Sequence, residues 1–179
     1  MRALPELSND IKHYPDCCVG VSEPMVEDLR LRLPLSPALI LSIGCGSGML
    51  EALLHDRGVN IYGVEVPSCE NKYLPNERFL RVQTTQSVHK DAILASTVLF
   101  VYPRSLELIL AYARHFTNGA LDEILWLGHQ SDAPDYRGLL TSLFESVTTL
   151  DMPGMAPYEC LLRVSCSSGP GNRQSGIHN

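Results

Sequence analysis

Three glycines at alternate positions, Gly44, Gly46 and Gly48, stand in the run Ser42-Ile43-Gly44-Cys45-Gly46-Ser47-Gly48-Met49. Glycine permits positive φ and carries no side chain, so a turn of this kind lets a ligand lie directly against the backbone. Before it comes Ala38-Leu39-Ile40-Leu41-Ser42-Ile43, a continuous apolar run too short for a helix. Such a run predicts a strand buried on both faces. After the turn, Leu50, Leu53 and Leu54 share one side of a helix predicted over residues 49–55, with Gly58 closing it. A buried strand, a glycine-rich turn and a helix together form the architecture of a nucleotide-type site at the carboxyl ends of the strands. The dinucleotide pattern GxGxxG is not matched, because the third glycine comes one residue early and Met49 stands where that pattern wants Gly or Ala. Glu65 ends a second β-rich run, residues 59–66, and follows Gly44 by 21 positions. A carboxylate there can accept bonds from both hydroxyls of a ribose, at about 1.5–3 kcal/mol for each charge-assisted bond. An acid rather than an arginine argues against a 2′-phosphate.

Two later segments carry further polar candidates at strand ends. Tyr102 and Arg104 lie in Phe100-Val101-Tyr102-Pro103-Arg104, and His129 lies in Leu127-Gly128-His129-Gln130-Ser131-Asp132. Each has a plainer reading beside the functional one. Tyr102 is either core packing or site lining, Arg104 a surface cation or a substrate anchor, His129 a loop histidine or a base. The glycine run can be a tight turn alone, and Glu65 a solvated strand end. His13, His55, His89, His115 and His178 show no HExxH or other close ligand spacing, so no metal site is expected. Six cysteines include no CxxC pair, and Cys17-Cys18 is an adjacent pair unsuited to an ordinary disulfide. Cys45 reads as a small filler inside the glycine turn, not a nucleophile.

These residues need a scaffold, and the chain supplies alternating strand and helix signals. Residues 4–24 are irregular, with Pro5, Pro15 and Pro24 as punctuation. Ser22 or Glu23 before Pro24 predicts a helix start, with Met25, Leu29 and Leu33 on one face and Pro34 ending it. Further strands are expected at 79–84, within 91–101, and at 123–128, where Trp126 belongs to the core. Helices are expected at 106–116 and 136–144, and a terminal strand pair at 147–150 and 158–164. Alternation of this kind gives an α/β fold with a parallel sheet covered on both faces, and the late pair predicts an antiparallel hairpin at one edge. The expected organisation is an irregular segment and helix over 1–36, one α/β domain over 37–164, and a disordered tail over 165–179.

Composition narrows the class. The chain has 179 residues, 45% hydrophobic and 19% charged, an ordinary globular balance and the length of one domain. A net charge of −6 argues against affinity that comes mainly from nucleic-acid phosphates or anionic lipid. No apolar stretch approaches the roughly 18 residues of a membrane-spanning helix, and the first residues lack a secretory signal. A reduced, cytoplasmic setting is the expectation.

Ser42-Ile43-Gly44-Cys45-Gly46-Ser47-Gly48 followed by Gly63-Val64-Glu65 resembles motifs I and II of the class I S-adenosylmethionine-dependent methyltransferases. The order of predicted elements over residues 24–164 is similar to that family as well. The resemblance implies a Rossmann-like, doubly wound, mostly parallel seven-stranded sheet with one antiparallel strand in a C-terminal hairpin. It implies S-adenosylmethionine held over Ser42, Gly44, Cys45, Gly46 and Gly48, its ribose on Glu65. The adenine would lie between the loops after the second and third strands, near Thr84 and Thr85. The chain departs from the family's pattern in three places. Ser42 stands where the family usually has an acid that helps hold the methionine end. Gln83-Thr84-Thr85-Gln86 is neutral where an acid often meets the adenine. Phe100 to Arg104 matches no NPPY or DPPY signature.

Methyl transfer from a sulfonium is an in-line displacement, for which orientation alone can remove roughly 7–11 kcal/mol of barrier. A base is needed only where the acceptor is protonated at working pH. In that chemistry the Tyr102 ring can face the sulfonium, Arg104 can orient an acidic or phenolic acceptor, and His129 is the candidate base. The expected activity is methylation of a small molecule. The alternative is a non-catalytic methyltransferase-like binding or scaffold domain, and a nicotinamide-dependent oxidoreductase is a third reading disfavoured by Met49. Residues 1–36 offer little material for a cap, so the acceptor is small and reached from an open face, or a protein partner or homodimer covers it.

Overall fold

The computed structural model describes residues 1–116 and 121–166. Seven strands form one sheet in the order β3-β2-β1-β4-β5-β7-β6. They are β1 (Ile40–Ile43), β2 (Ile61–Glu65), β3 (Phe79–Arg81), β4 (Thr97–Val101), β5 (Glu123–His129), β6 (Ser146–Leu150) and β7 (Glu159–Ser165). The first five run parallel, and β7 lies antiparallel between β5 and β6, so the expected hairpin is present with β6 at the edge. The winding reverses between β1 and β4, which opens a crevice beyond their carboxyl ends.

Among the described residues, four helices cover the faces: α1 (Glu23–Arg32), α2 (Met49–Asp56), α3 (Leu106–His115) and α4 (Ala133–Leu143). The strict alternation of a strand between two covered faces explains why β4 is buried throughout and apolar from Val98 to Val101. Leu99 and Val101 join Met25, Leu29, Met49 and Leu53 in one core layer. Val98 and Phe100 join Ile109, Tyr112, Trp126 and Leu140 in the other. Ser22 caps α1 by accepting from the Met25 N–H at 3.2 Å, with Pro24 in the first turn. No helix of the described residues is long and apolar enough to cross a membrane.

Several boundaries differ from the sequence expectation. The third strand ends at Arg81 instead of residue 84. The Val82 N–H still bonds the Glu65 carbonyl, but Thr84 then turns back onto Ser87. The fourth lies within the expected 91–101, at Thr97–Val101, with residues 90–94 forming a 3-10 turn before it. α4 starts three residues early, led in by Pro134 in its first turn. Of the tail expected over 165–179, Ser165 closes β7, and residues 167–179 lie outside the described residues.

Candidate functional site

The glycine turn takes the shape its residue types allow. Gly44 and Gly46 have φ of +78° and +57°, and a Cβ built on either would meet nothing within 4 Å. Their bare side faces open space, which is the cradle a ligand against the backbone requires. Cys45 fills a different gap. A Cβ on Gly63 of β2 would come within 2.5 Å of the Cys45 sulfur, so the cysteine packs where that glycine leaves room. Burial pushes the Cys45 thiol well above its usual range, which keeps it a neutral thiol. Gly48 begins α2 and packs against Leu74.

Glu65, at the end of β2, grips the turn itself. Its Oε2 accepts from the Gly46 N–H at 2.9 Å, and its Oε1 accepts from the Val66 N–H at 2.9 Å. Each oxygen keeps a lone pair for a further donor. Beyond it opens a cleft of about 390 Å3. Of the residues singled out from sequence, Gly44, Gly46, Glu65, Thr84, Thr85, Tyr102 and Arg104 all line this cleft. Val66, Val82 and Leu108, which sequence reasoning did not single out, supply its apolar wall, and Cys18 of the N-terminal segment its rim.

Ser42 sits deeper, wholly buried in β1, and donates to Glu51 Oε1 at 2.6 Å. Where the family resemblance expects an acid, the chain thus has a hydroxyl bonded to an acid that arrives from α2. Burial pushes the Glu51 carboxyl up to about 7, against the lowering effect of the Ser42 bond. The signal was available in sequence: an acid stands inside Met49-Leu50-Glu51-Ala52-Leu53-Leu54, where every other residue is apolar.

The N-terminal segment straps the turn from outside. The Ser47 hydroxyl donates to the Asp16 carbonyl at 2.7 Å, and the Asp16 carboxylate takes the Lys72 ammonium and, at 3.1 Å, Arg2. The bond from Lys72 holds the Asp16 carboxyl below its ordinary range, with Arg2 adding to the effect.

Tyr102 follows β4 with a φ of +48°, a left-handed conformation that strains a non-glycine residue. Two bonds hold it there. Its N–H donates to the Leu127 carbonyl at 2.8 Å, and its hydroxyl donates to Glu159 Oε1 at 3.0 Å. Burial pushes the hydroxyl pKa up, and the Glu159 charge pushes it further, so it stays a donor. Glu159 is itself buried and also accepts from the Gly20 N–H at 2.9 Å and the Ala156 N–H at 3.3 Å. It therefore ties the N-terminal segment, the end of β4 and the start of β7 together. Sequence reading missed it because its partners lie up to 139 residues away.

His129 ends β5 at the same edge of the sheet but outside the lining of the cleft. Its Nδ1 accepts from the Ser131 N–H at 3.1 Å, and its ring stacks on Tyr158 with centroids 5.5 Å apart. A second cavity of about 460 Å3 adjoins the cleft and shares Tyr102, Pro103 and Arg104 with it. Asp132, Asp135, Tyr136 and Trp126 form its other walls.

No protein-family model matches the sequence, and no curated protein does. Solved structures do. A precorrin-6y methyltransferase from Geobacter metallireducens superposes with a TM-score of 0.60 at 12% identity, covering 90% of this chain and 98% of that one. A 16S rRNA methyltransferase of T. thermophilus, in complex with AdoMet and guanosine, gives 0.55 at 12% identity over 91% of this chain and 46% of its own. A human methyltransferase 10 domain containing protein gives 0.52 at 15% identity over 78% of each chain. At such identities the likeness is one of fold, and the fold is that of the class I S-adenosylmethionine-dependent methyltransferases.

Proposed function

We propose that this chain, having the fold of the class I methyltransferases, is an S-adenosylmethionine-dependent methyltransferase that acts on a small molecule. One observation carries the reading. Two glycines open at their Cβ positions, an acid with free lone pairs and an apolar wall meet in one cleft whose volume suits a single nucleoside-sized ligand. When bound, S-adenosylmethionine supplies a methyl group on an electrophilic sulfonium. The protein's part is positional. Gly44 and Gly46 let the ligand meet the backbone, Glu65 accepts from the ribose hydroxyls, and Val82, Thr84, Thr85 and Leu108 enclose the base.

The adjoining cavity of about 460 Å3 is the proposed acceptor chamber, entered past Tyr102 and Arg104. Its size supports a small molecule, and its acids Asp132 and Asp135 favour an acceptor that is neutral or basic. The Tyr102 hydroxyl is committed to Glu159, so Tyr102 contributes its ring and not a proton. His129 serves as a base only through Nε2, since Nδ1 takes the Ser131 amide. An acceptor whose lone pair is free at neutral pH needs no base at all. Six cysteines without disulfides suit a reducing compartment such as the cytoplasm.

Isothermal titration tests the reading: S-adenosylmethionine should bind and NAD should not. Turnover with a panel of small amines, thiols and phenols should follow. The committed Tyr102 hydroxyl and the position of His129 favour one second reading, a non-catalytic binding domain. Binding without turnover across that panel selects it.

A further inference from the structure

Glu51 is an acid in a place that disfavours one. It is 1% exposed, in a helix turn whose neighbours Met49, Leu50, Ala52, Leu53 and Leu54 are all buried. A charge taken out of water needs a partner and a full set of hydrogen bonds. Ser42 satisfies Oε1, but Oε2 has no hydrogen-bond partner among the described residues. Glu51 lines a small cavity of about 30 Å3, which is roughly the share of liquid volume taken by one water molecule. Gly44, Gly46, Cys18 and Val101 line both this cavity and the large cleft, so the two adjoin.

The surroundings specify the sign of the missing partner. Facing Glu51 are Ser42 from β1, Cys45 from the turn, Glu65 from β2, and Asp16, Cys17 and Cys18 from the N-terminal segment. The thiols of Cys17 and Cys45 are pushed up by burial and stay neutral, and Glu65 adds negative potential. Among the described residues, the cavity lining contains no Lys, Arg or His. A cation paired with the ionised carboxyl would come from a ligand.

We propose that Glu51, braced by Ser42, receives the α-ammonium group of the ligand's amino-acid end. The proposal rests on the methyltransferase reading and adds to it a specific contact from α2. The ammonium offers three donors to an oxygen that has none, and its charge compensates the buried carboxylate. The free site holds its proton up to about pH 7. Binding of an ammonium therefore expels that proton, and affinity falls as pH drops below 7.

Titrating S-adenosylhomocysteine and its deamino analogue, which keeps the carboxylate but lacks the ammonium, provides the test. At pH 6.5, titration of the wild type in two buffers of different ionisation heat should show proton release with S-adenosylhomocysteine and none with the deamino analogue. Glu51→Gln, close to isosteric, should weaken S-adenosylhomocysteine about 10- to 100-fold and leave the analogue within about two-fold. Equal weakening of both ligands, or no proton release by the wild type, overturns the proposal and leaves the methyltransferase reading standing. Failure of the wild type to bind either ligand defeats both. The proton measurement needs no variant, so a poorly folding Glu51→Gln does not blunt the test.

Discussion

At the scale of single residues, the candidate site divides into groups that face the cleft and groups that hold other groups. Glu65 does both, since it grips the Gly46 amide and presents free lone pairs to the cleft. Glu65→Ala should weaken S-adenosylmethionine about 10- to 100-fold, the equivalent of one charge-assisted bond at about 1.5–3 kcal/mol, as read by titration calorimetry. An unchanged affinity would remove Glu65 from the site. Tyr102 makes a sharper case, because its ring and its hydroxyl have different tasks. Tyr102→Phe removes the bond to Glu159 and keeps the aromatic face. It should cost about 2 kcal/mol in urea unfolding and leave kcat per folded molecule within about two-fold. A collapse of kcat at full stability would make the hydroxyl a reacting group. Gly44, Gly46 and Glu65 were legible in sequence because backbone freedom and charge are properties of residue type. Glu159 was not, since what sets it apart is burial and distant partners, which no local pattern records, while Glu51 was marked only by the apolar run around it and not by its bond to Ser42.

At the scale of elements, legibility follows how locally an element is determined. β1, β4 and β5 are buried on both faces, so their apolar runs mark them directly. β3 has only three residues and one strand neighbour, and its end depends on the turn from Thr84 to Ser87. The N-terminal strap was unreadable, because Asp16 meets Lys72 across 56 residues of chain. Contact between β2 and the glycine turn is tight enough to test by one methyl group. Gly63→Ala places a Cβ 2.5 Å from the Cys45 sulfur and 2.9 Å from its Cβ. Neither the strand nor the turn can move without the other, so the expected loss is about 1–3 kcal/mol, or several degrees in Tm. Adding Cys45→Ala removes the sulfur but not the Cβ contact and should restore part of that loss. Strict additivity of the two changes would show that this packing does not fix the turn.

At the scale of the whole molecule, the buried acid couples stability to pH in an unusual direction. Most carboxylates of a folded protein are held below their ordinary range, as the Lys72 bond does for Asp16 and the Arg30 bond for Glu27. Their stabilisation is present above that range and is lost as pH falls through it, although both lie at the surface and are screened. Glu51 has the opposite sign. Burial carries its carboxyl from an ordinary 4.5 to about 7, so the folded chain binds this proton more tightly than the unfolded chain. The stability it contributes is complete below about pH 4.5 and is lost as pH rises through 7, a change of about 3 kcal/mol at about 1.4 kcal/mol per pH unit. Glu123, raised by burial against the pull of Arg163, acts in the same direction. His89, lowered by burial, acts against it near its own range, but of these groups only Glu51 is wholly buried. The ligand-free protein should therefore be most stable near pH 5 and should lose about 2–3 kcal/mol by pH 8, measured by urea unfolding at each pH. Glu51→Gln should flatten that decline and leave the variant more stable than the wild type at pH 8, despite its weaker hold on the ligand. A wild type whose stability rises from pH 5 to 8 would mean that Glu51 is solvated or already paired, and Oε2 would then need no ligand as its partner.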